Sequence, residues 1–135
     1  MQTDVIIIGT GISAKLTALY LSLHRFKVII FPNKEIKEDT SNLVTFFSSG
    51  SIKFLSEILG GDESILSYES IKQLRCSQYD QLDKENFEFN FDNNHEEFLG
   101  RIIPNKKINE LLDQLIHSNE NIHILNDEFA DDIKQ

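Results

Sequence analysis

The segment "DVIIIGTGISAKLTALYLSLHRFKVIIFPNK", from Asp4 to Lys34, decides the fold. Its continuous apolar run from Val5 to Ile8 is typical of a strand that is buried on both faces in a parallel sheet. The segment "KVIIF" at 27–31 predicts a second strand of the same kind. Between them, apolar residues recur at helical spacing, at Ile12, Leu16, Leu19, Tyr20 and Leu23. The segment therefore predicts a strand, a helix and a strand, joined by a right-handed crossover.

The glycines of this segment have the spacing of a dinucleotide-binding turn. In such a turn the first glycine permits a tight exit from the strand, and the second lets the backbone approach a diphosphate closely. The third position takes a small residue so that helix and strand can pack. The unpaired amides of the first helical turn, with the helix dipole, then bind an anion without needing a lysine. The candidate cofactor-binding residues are Gly9, Thr10, Gly11, Ile12, Ser13 and Ala14. The alternative interpretation is a glycine turn that serves packing alone.

Pro32 departs from the usual pattern at the end of the second strand. A dinucleotide site commonly has an acidic residue there, which accepts hydrogen bonds from ribose hydroxyls. Pro32 offers no side-chain acceptor, and Glu35 lies three residues further on. Asn33 can accept such a bond without charge, so we add it to the candidate cofactor-binding residues. Losing one charged contact weakens binding by ~1.5–3 kcal/mol, so the sequence predicts a weak site or one completed elsewhere.

The rest of the chain predicts a change of pattern and then a return to the parallel sheet. A helix from Ser49 carries Ile52, Leu55, Ile58 and Leu59 on one face and stops at Gly60 and Gly61. The alternating segment "NFEFNFDN" predicts a strand that pairs antiparallel with "IKQLRCSQYD". A further helix at about 106–117 has an apolar stripe, and "NIHIL" predicts a strand beside the first two. The stripe contains Ile108, Leu111, Leu112, Leu115 and Ile116.

Composition excludes several classes of function. The 135 residues predict one small domain, and 13 basic against 22 acidic side chains give a net charge of -9. Such a charge repels phosphate backbones, so we expect no nucleic-acid partner. Cys76 is the single cysteine, which excludes an internal disulfide. The spacing of the four histidines predicts no metal site. We expect no targeting segment and no membrane span, because Asp4, the glycines and Lys15 interrupt the first apolar run.

Three ordered stretches resemble the N-terminal part of the flavin-dependent aromatic hydroxylases, most closely the branch of ubiquinone biosynthesis. They are "DVIIIGTGISAKLTALYL", "VTFFSSGSIKFLSEILG" and "FLGRIIPNKKINELLDQL". The resemblance covers nearly the whole chain. The sequence departs from the family pattern at Pro32, and also at Asn42 and Leu43, where the family has an arginine. The family's later flavin-binding segments have no counterpart in these 135 residues.

The resemblance implies an α/β fold: a Rossmann-like, FAD-binding βαβ parallel sheet with an inserted antiparallel hairpin, incomplete relative to the full family fold. Residues 1–135 would be the N-terminal portion of an FAD-binding domain. Within it, residues 1–34 would form the βαβ fingerprint and residues at about 70–92 a hairpin like the start of the substrate domain. Asn105 matches the family's asparagine and could hydrogen-bond the cofactor, but its place after Pro104 and before a helix also suits a helix cap.

The implied activity is hydroxylation of a polyprenylated phenol, with FAD as cofactor and NAD(P)H as reductant. The implied partner is a polypeptide that carries the remaining hydroxylase segments, without which we expect no activity. The implied location is the cytoplasm, or the periphery of the inner membrane through such a complex. Two alternatives stay open. One is a nicotinamide-binding Rossmann oxidoreductase, and the other is a non-catalytic remnant or assembly module.

Overall fold

A computed structural model describes residues 2–32, 42–61, 68–79, 85–92 and 98–125. The candidate residue Asn33 lies outside these ranges. The chain divides into two units, the first made of Met1–Leu43 and Pro104–Gln135 and the second of Val44–Ile103. In chain order the elements are β1 (Val5–Ile8), α1 (Ile12–Leu23), β2 (Val28–Phe31), β3 (Val44–Ser48), α2 (Ser49–Ile58), β4 (Ser70–Ile71), β5 (Gln73–Tyr79), β6 (Glu85–Asp92), β7 (Gly100–Pro104), α3 (Asn105–His117) and β8 (Ile122–Ile124). Within the described ranges, no helix has both the length and the hydropathy that crossing a membrane requires.

The first unit is built on a parallel sheet in the order β1-β2-β8. Val28 lies opposite Val5 on one side and opposite Ile122 on the other. The predicted strand–helix–strand segment and the return of "NIHIL" to the same sheet are therefore confirmed. Burial on both faces is confirmed for β2, whose four residues are all buried. It is wrong for β1, where Ile6 and Ile8 are 51% and 58% exposed. These two side chains share one face of β1, which is an edge strand of the sheet in the described part of the chain, and a sequence run cannot reveal this.

Helices α1 and α3 pack against each other in this unit. The buried residues of α3, Ile108, Leu112 and Ile116, all belong to the predicted stripe. The predicted stripe of α1 is confirmed at Leu19, which is buried, and wrong at Tyr20 and Leu23, which are exposed. The buried face of α1 carries Lys15, Ala18, Leu19 and Ser22. The polar residues of this face can be buried because their side chains have hydrogen-bond partners. The Ser22 hydroxyl, for example, accepts a hydrogen bond from Asn119 Nδ2 at 2.9 Å.

The second unit contains a sheet in the order β3-β7-β4, with β4 and β7 antiparallel. Helix α2 starts where it was predicted, and the Ser48 hydroxyl caps it by accepting from the Ser51 amide at 3.2 Å. Its buried residues, Ile52, Leu55 and Ile58, belong to the predicted face, whereas the fourth predicted member, Leu59, is the half-buried C-cap residue. Gly60 and Gly61 follow with φ of +69° and +84°, the left-handed stop that the sequence indicated.

The predicted antiparallel hairpin is present in this unit as β5 and β6. Cys76 lies opposite Phe89, and an irregularity follows at Gln78 and Tyr79. The hairpin begins later than residue 70, since Ser70 and Ile71 pair with β7. The mixed fold class is confirmed: a parallel βαβ sheet and a separate antiparallel region in one chain.

Candidate cofactor site

The turn between β1 and α1 begins with a glycine that the backbone geometry requires. Gly9 has a φ of +116°, a conformation that residues with a side chain rarely adopt. Its amide donates to the Phe31 carbonyl at 2.8 Å, which fixes the start of the turn to the end of β2. The tight exit expected from the first glycine is therefore present.

Gly11 holds the start of helix α1 and leaves the space beside it open. It is the N-cap residue, with an extended backbone and no side-chain cap, and the first helical turn contains no acidic residue. A Cβ placed on Gly11 would meet no atom within 4 Å. The first amides of a helix have no acceptor within the helix, so those of Ile12, Ser13 and Ala14 are available to an anion. These residues fit a diphosphate.

Lys15 follows the glycine pattern directly and is held by α3. The residue is 8% exposed. Its Nζ lies 2.8 Å from Asp113 Oδ1 and donates to Asn109 Oδ1 at 2.9 Å. These contacts are necessary because an ammonium group out of water is costly unless it is paired. Charge-assisted contacts therefore join the first turn of α1 to α3.

A polar stripe runs along α3 beside its buried face. Its members, Asn105, Asn109, Asp113 and His117, follow one another at four-residue spacing, which places them on one side of the helix. Asn109 Nδ2 donates to the Asn105 carbonyl at 3.0 Å. His117 Nδ1 lies 2.6 Å from the Asp113 carbonyl. A carbonyl accepts and does not donate, so Nδ1 carries a proton, and in the neutral tautomer Nε2 is an acceptor.

A cavity of about 310 Å³ opens between the glycine turn and this stripe. Ile30 of β2 and Ile124 of β8 give it apolar surface. Thr10, Lys15, Asp113 and His117 give it polar surface. Sheet and helices thus form a pocket with both apolar and hydrogen-bonding walls, the usual composition of a small-molecule site.

The structure brings most of the predicted residues together. Gly9–Gly11 form the turn, Ile12–Ala14 begin α1, and Asn105 is linked to this segment through Asn109 and Lys15. The helix-cap alternative for Asn105 is wrong, because Pro104 is the N-cap and Asn105 is the first helical residue. Four polar residues near the turn were not among those predicted from the sequence: Lys15, Asn109, Asp113 and His117. Two features of the sequence could have indicated them. One is a lysine inside an apolar helical pattern, and the other is a set of polar residues that repeats every four positions.

No family model and no curated protein matches the sequence. Solved structures do match it. The p-nitrophenol 4-monooxygenase PnpA from Pseudomonas putida DLL-E4 aligns over 98% of this chain and 34% of its own, with a TM-score of 0.68 and 12% identity. PqsL from Pseudomonas aeruginosa, a probable FAD-dependent monooxygenase, aligns over 92% of this chain and 32% of its own, with a TM-score of 0.61 and 16% identity. The chain thus has the fold of a part of these monooxygenases. The chain spans about a third of the length of these proteins.

FqzB is a further structural neighbour, with a TM-score of 0.56, 14% identity and 90% of this chain covered. At such identities the likeness establishes the fold.

Proposed function

We propose that this chain is the dinucleotide-binding part of an FAD-dependent monooxygenase and that Gly9–Ala14 bind the diphosphate of FAD. One observation carries the proposal: the open space beside Gly11, where the first amides of α1 have no helical acceptor and no side-chain cap. In a chain with a net charge of -9, this helix end supplies local positive potential for an anion.

The finer proposal is a hydroxylase of polyprenylated phenols in ubiquinone biosynthesis, with NAD(P)H as reductant. Its support is the order of the three sequence stretches. The second stretch corresponds to β3 and α2, and the third to β7 and α3. When FAD is bound, it supplies the oxygen-activating chemistry. The contribution of the described residues is to bind and orient its diphosphate, with Asn105 placed on α3 as a further candidate contact.

We also propose that activity requires a polypeptide carrying the remaining hydroxylase segments. Its support is that the chain aligns with about a third of the length of each neighbour. The complex would act in the cytoplasm or at the periphery of the inner membrane.

The test is a calorimetric titration of the purified chain with FAD and, separately, with NAD. We expect FAD to bind and NAD to bind at least tenfold more weakly. Binding of NAD alone would favour a nicotinamide-dependent enzyme, and binding of neither would favour a non-catalytic remnant.

Activity needs a separate assay. The chain is incubated with FAD, NADH or NADPH and a prenylated phenol, with and without the polypeptide encoded immediately downstream. We expect hydroxylation when both polypeptides are present and none with this chain alone. Robust hydroxylation by the chain alone would contradict the need for a partner.

A further inference from the structure

We propose that Asp113 accepts the hydrogen bonds of the nucleotide ribose, in place of the acidic residue that Pro32 does not supply. This inference rests on the proposed function, since it assigns the nucleotide's sugar to the cavity beside the glycine turn. It makes Asp113 a specificity-determining residue, with His117 as a second acceptor.

The position of the cavity supports this assignment. Position 32 directly follows the last residue of β2, and if the extended backbone is continued by one residue, its side chain projects to the same side of the sheet as that of Ile30. Ile30 lines the cavity, and Asp113 lines it too. The carboxylate is therefore on the side of the sheet toward which an acidic residue at position 32 would project. Thr10 of the glycine turn lines the same cavity, which places the sugar next to the diphosphate-binding amides.

The acceptors of the cavity match the donors of a ribose diol. Asp113 is 43% exposed, and Lys15 contacts its Oδ1. An ionised carboxylate has about four acceptor positions, so capacity remains after this contact. His117 adds Nε2, because its Nδ1 proton is used by the Asp113 carbonyl. Two neighbouring hydroxyl groups that each donate one hydrogen bond would satisfy both.

The contact with Lys15 removes an electrostatic objection. A free carboxylate beside a diphosphate would repel it, and the chain is already strongly acidic. The ammonium of Lys15 offsets the charge of Asp113 locally at 2.8 Å. The carboxylate can then serve as an acceptor without weakening the anion site of α1.

The experiment measures the binding of ADP and of 2′,3′-dideoxy-ADP by calorimetry. A charge-assisted hydrogen bond corresponds to about tenfold to hundredfold in affinity, so the chain should prefer ADP by that factor. Asp113→Ala should lower this preference by about tenfold. The matched control is Glu110→Ala, which removes another carboxylate of α3, one that contacts Lys107 at 3.6 Å and lies outside the cavity lining. It should leave the preference unchanged.

A second variant separates recognition from structural support. Lys15→Met removes the ion pair and keeps the carboxylate, so the preference for ADP should persist even if the overall affinity changes. A loss of preference in Lys15→Met equal to that in Asp113→Ala would overturn the inference, because the ion pair alone would then explain both. If Asp113→Ala does not give a folded circular dichroism spectrum, Asp113→Asn replaces it and should lower the preference by a smaller factor.

The remaining outcomes distinguish this inference from the proposed function. Binding of ADP without any preference over the dideoxy analogue overturns the inference and leaves the proposed function standing. If Asn33→Ala abolishes the preference for ADP over the dideoxy analogue and Asp113→Ala leaves it unchanged, Asn33 binds the ribose and the inference is overturned. No binding of ADP at all contradicts both.

Discussion

Gly9 and Gly11 contribute to the site in different ways, and alanine substitutions should separate them. Gly9→Ala should destabilise the fold by about 1–3 kcal/mol, because a side chain at a φ of +116° strains the backbone. Gly11 has an ordinary φ of -71° and open space beside it, so Gly11→Ala should cost under about 1 kcal/mol. Urea denaturation measures both values. Equal losses would contradict the distinction.

Gly11→Ala should nevertheless lower the affinity for ADP at least tenfold. The added Cβ would lie in the space that we assign to the diphosphate, and the folded chain without a ligand has no atom there to clash with it. A variant of normal stability and normal ADP affinity would place the diphosphate elsewhere.

The two partners of the Lys15–Asp113 ion pair should respond unequally to substitution. Lys15 is 8% exposed, so Asp113→Asn leaves a buried ammonium without its charged partner. We expect a loss of about 1–2 kcal/mol, moderated because the Asp113 side chain is partly solvated. Lys15→Met places an apolar chain in the buried position and should change stability by less than about 1 kcal/mol. Chemical denaturation of both variants tests the asymmetry, and a larger loss for Lys15→Met would contradict it.

At the scale of elements, the sheet of the second unit depends on close contact at Gly100. A Cβ on Gly100 would overlap the Phe47 carbonyl oxygen and the Phe46 ring. The backbone carbonyl cannot move away cheaply, so Gly100→Ala should destabilise the chain by about 3 kcal/mol. The control is Gly50→Ala in α2, where the nearest atom is 3.9 Å away and stability should stay level or rise by up to about 1 kcal/mol. Similar melting temperatures for both variants would contradict this account of the β3–β7 contact.

The elements themselves were largely predictable from the sequence, because each has a periodic apolar pattern of its own. Helix α2 and its glycine stop are examples, and so is the return of β8 to the parallel sheet. The apolar pattern could not predict the exposure of a side chain where that exposure depends on which other elements pack against the strand. Nothing in "VIII" distinguishes an edge strand from a central one, so the exposure of Ile6 and Ile8 was missed.

The polar half of the site was also beyond a local pattern. In the sequence, Lys15 is an interruption of an apolar stripe. Its partners on α3, Asn109 and Asp113, lie 94 and 98 positions further along the chain (109 − 15 and 113 − 15), so no local pattern connects them with Lys15. The glycine turn was predictable because its chemistry is contained in six consecutive residues. The cavity was not, since it combines two strands, two helices and a turn.

At the scale of the whole molecule, β1 has an unpaired outer edge within the described part of the chain and an exposed apolar face. Such an edge can pair with another chain. We therefore predict concentration-dependent self-association of the isolated chain, measured by sedimentation velocity. Ile8→Lys should reduce the association, whereas Leu23→Lys, at an exposed position on α1, should not. A monodisperse wild-type chain with a cooperative melting transition would contradict the prediction.

Binding of a diphosphate by the first amides of α1 underlies the proposed function. The most direct measurement is an NMR titration of the ¹⁵N-labelled chain with ADP, with adenosine as the ligand that lacks phosphate. We predict that the amide signals of Thr10 to Ala14 shift with ADP and stay near their free positions with adenosine. The claim would be contradicted if ADP shifted only amide signals outside Thr10 to Ala14, or if ADP and adenosine shifted the same signals by the same amount.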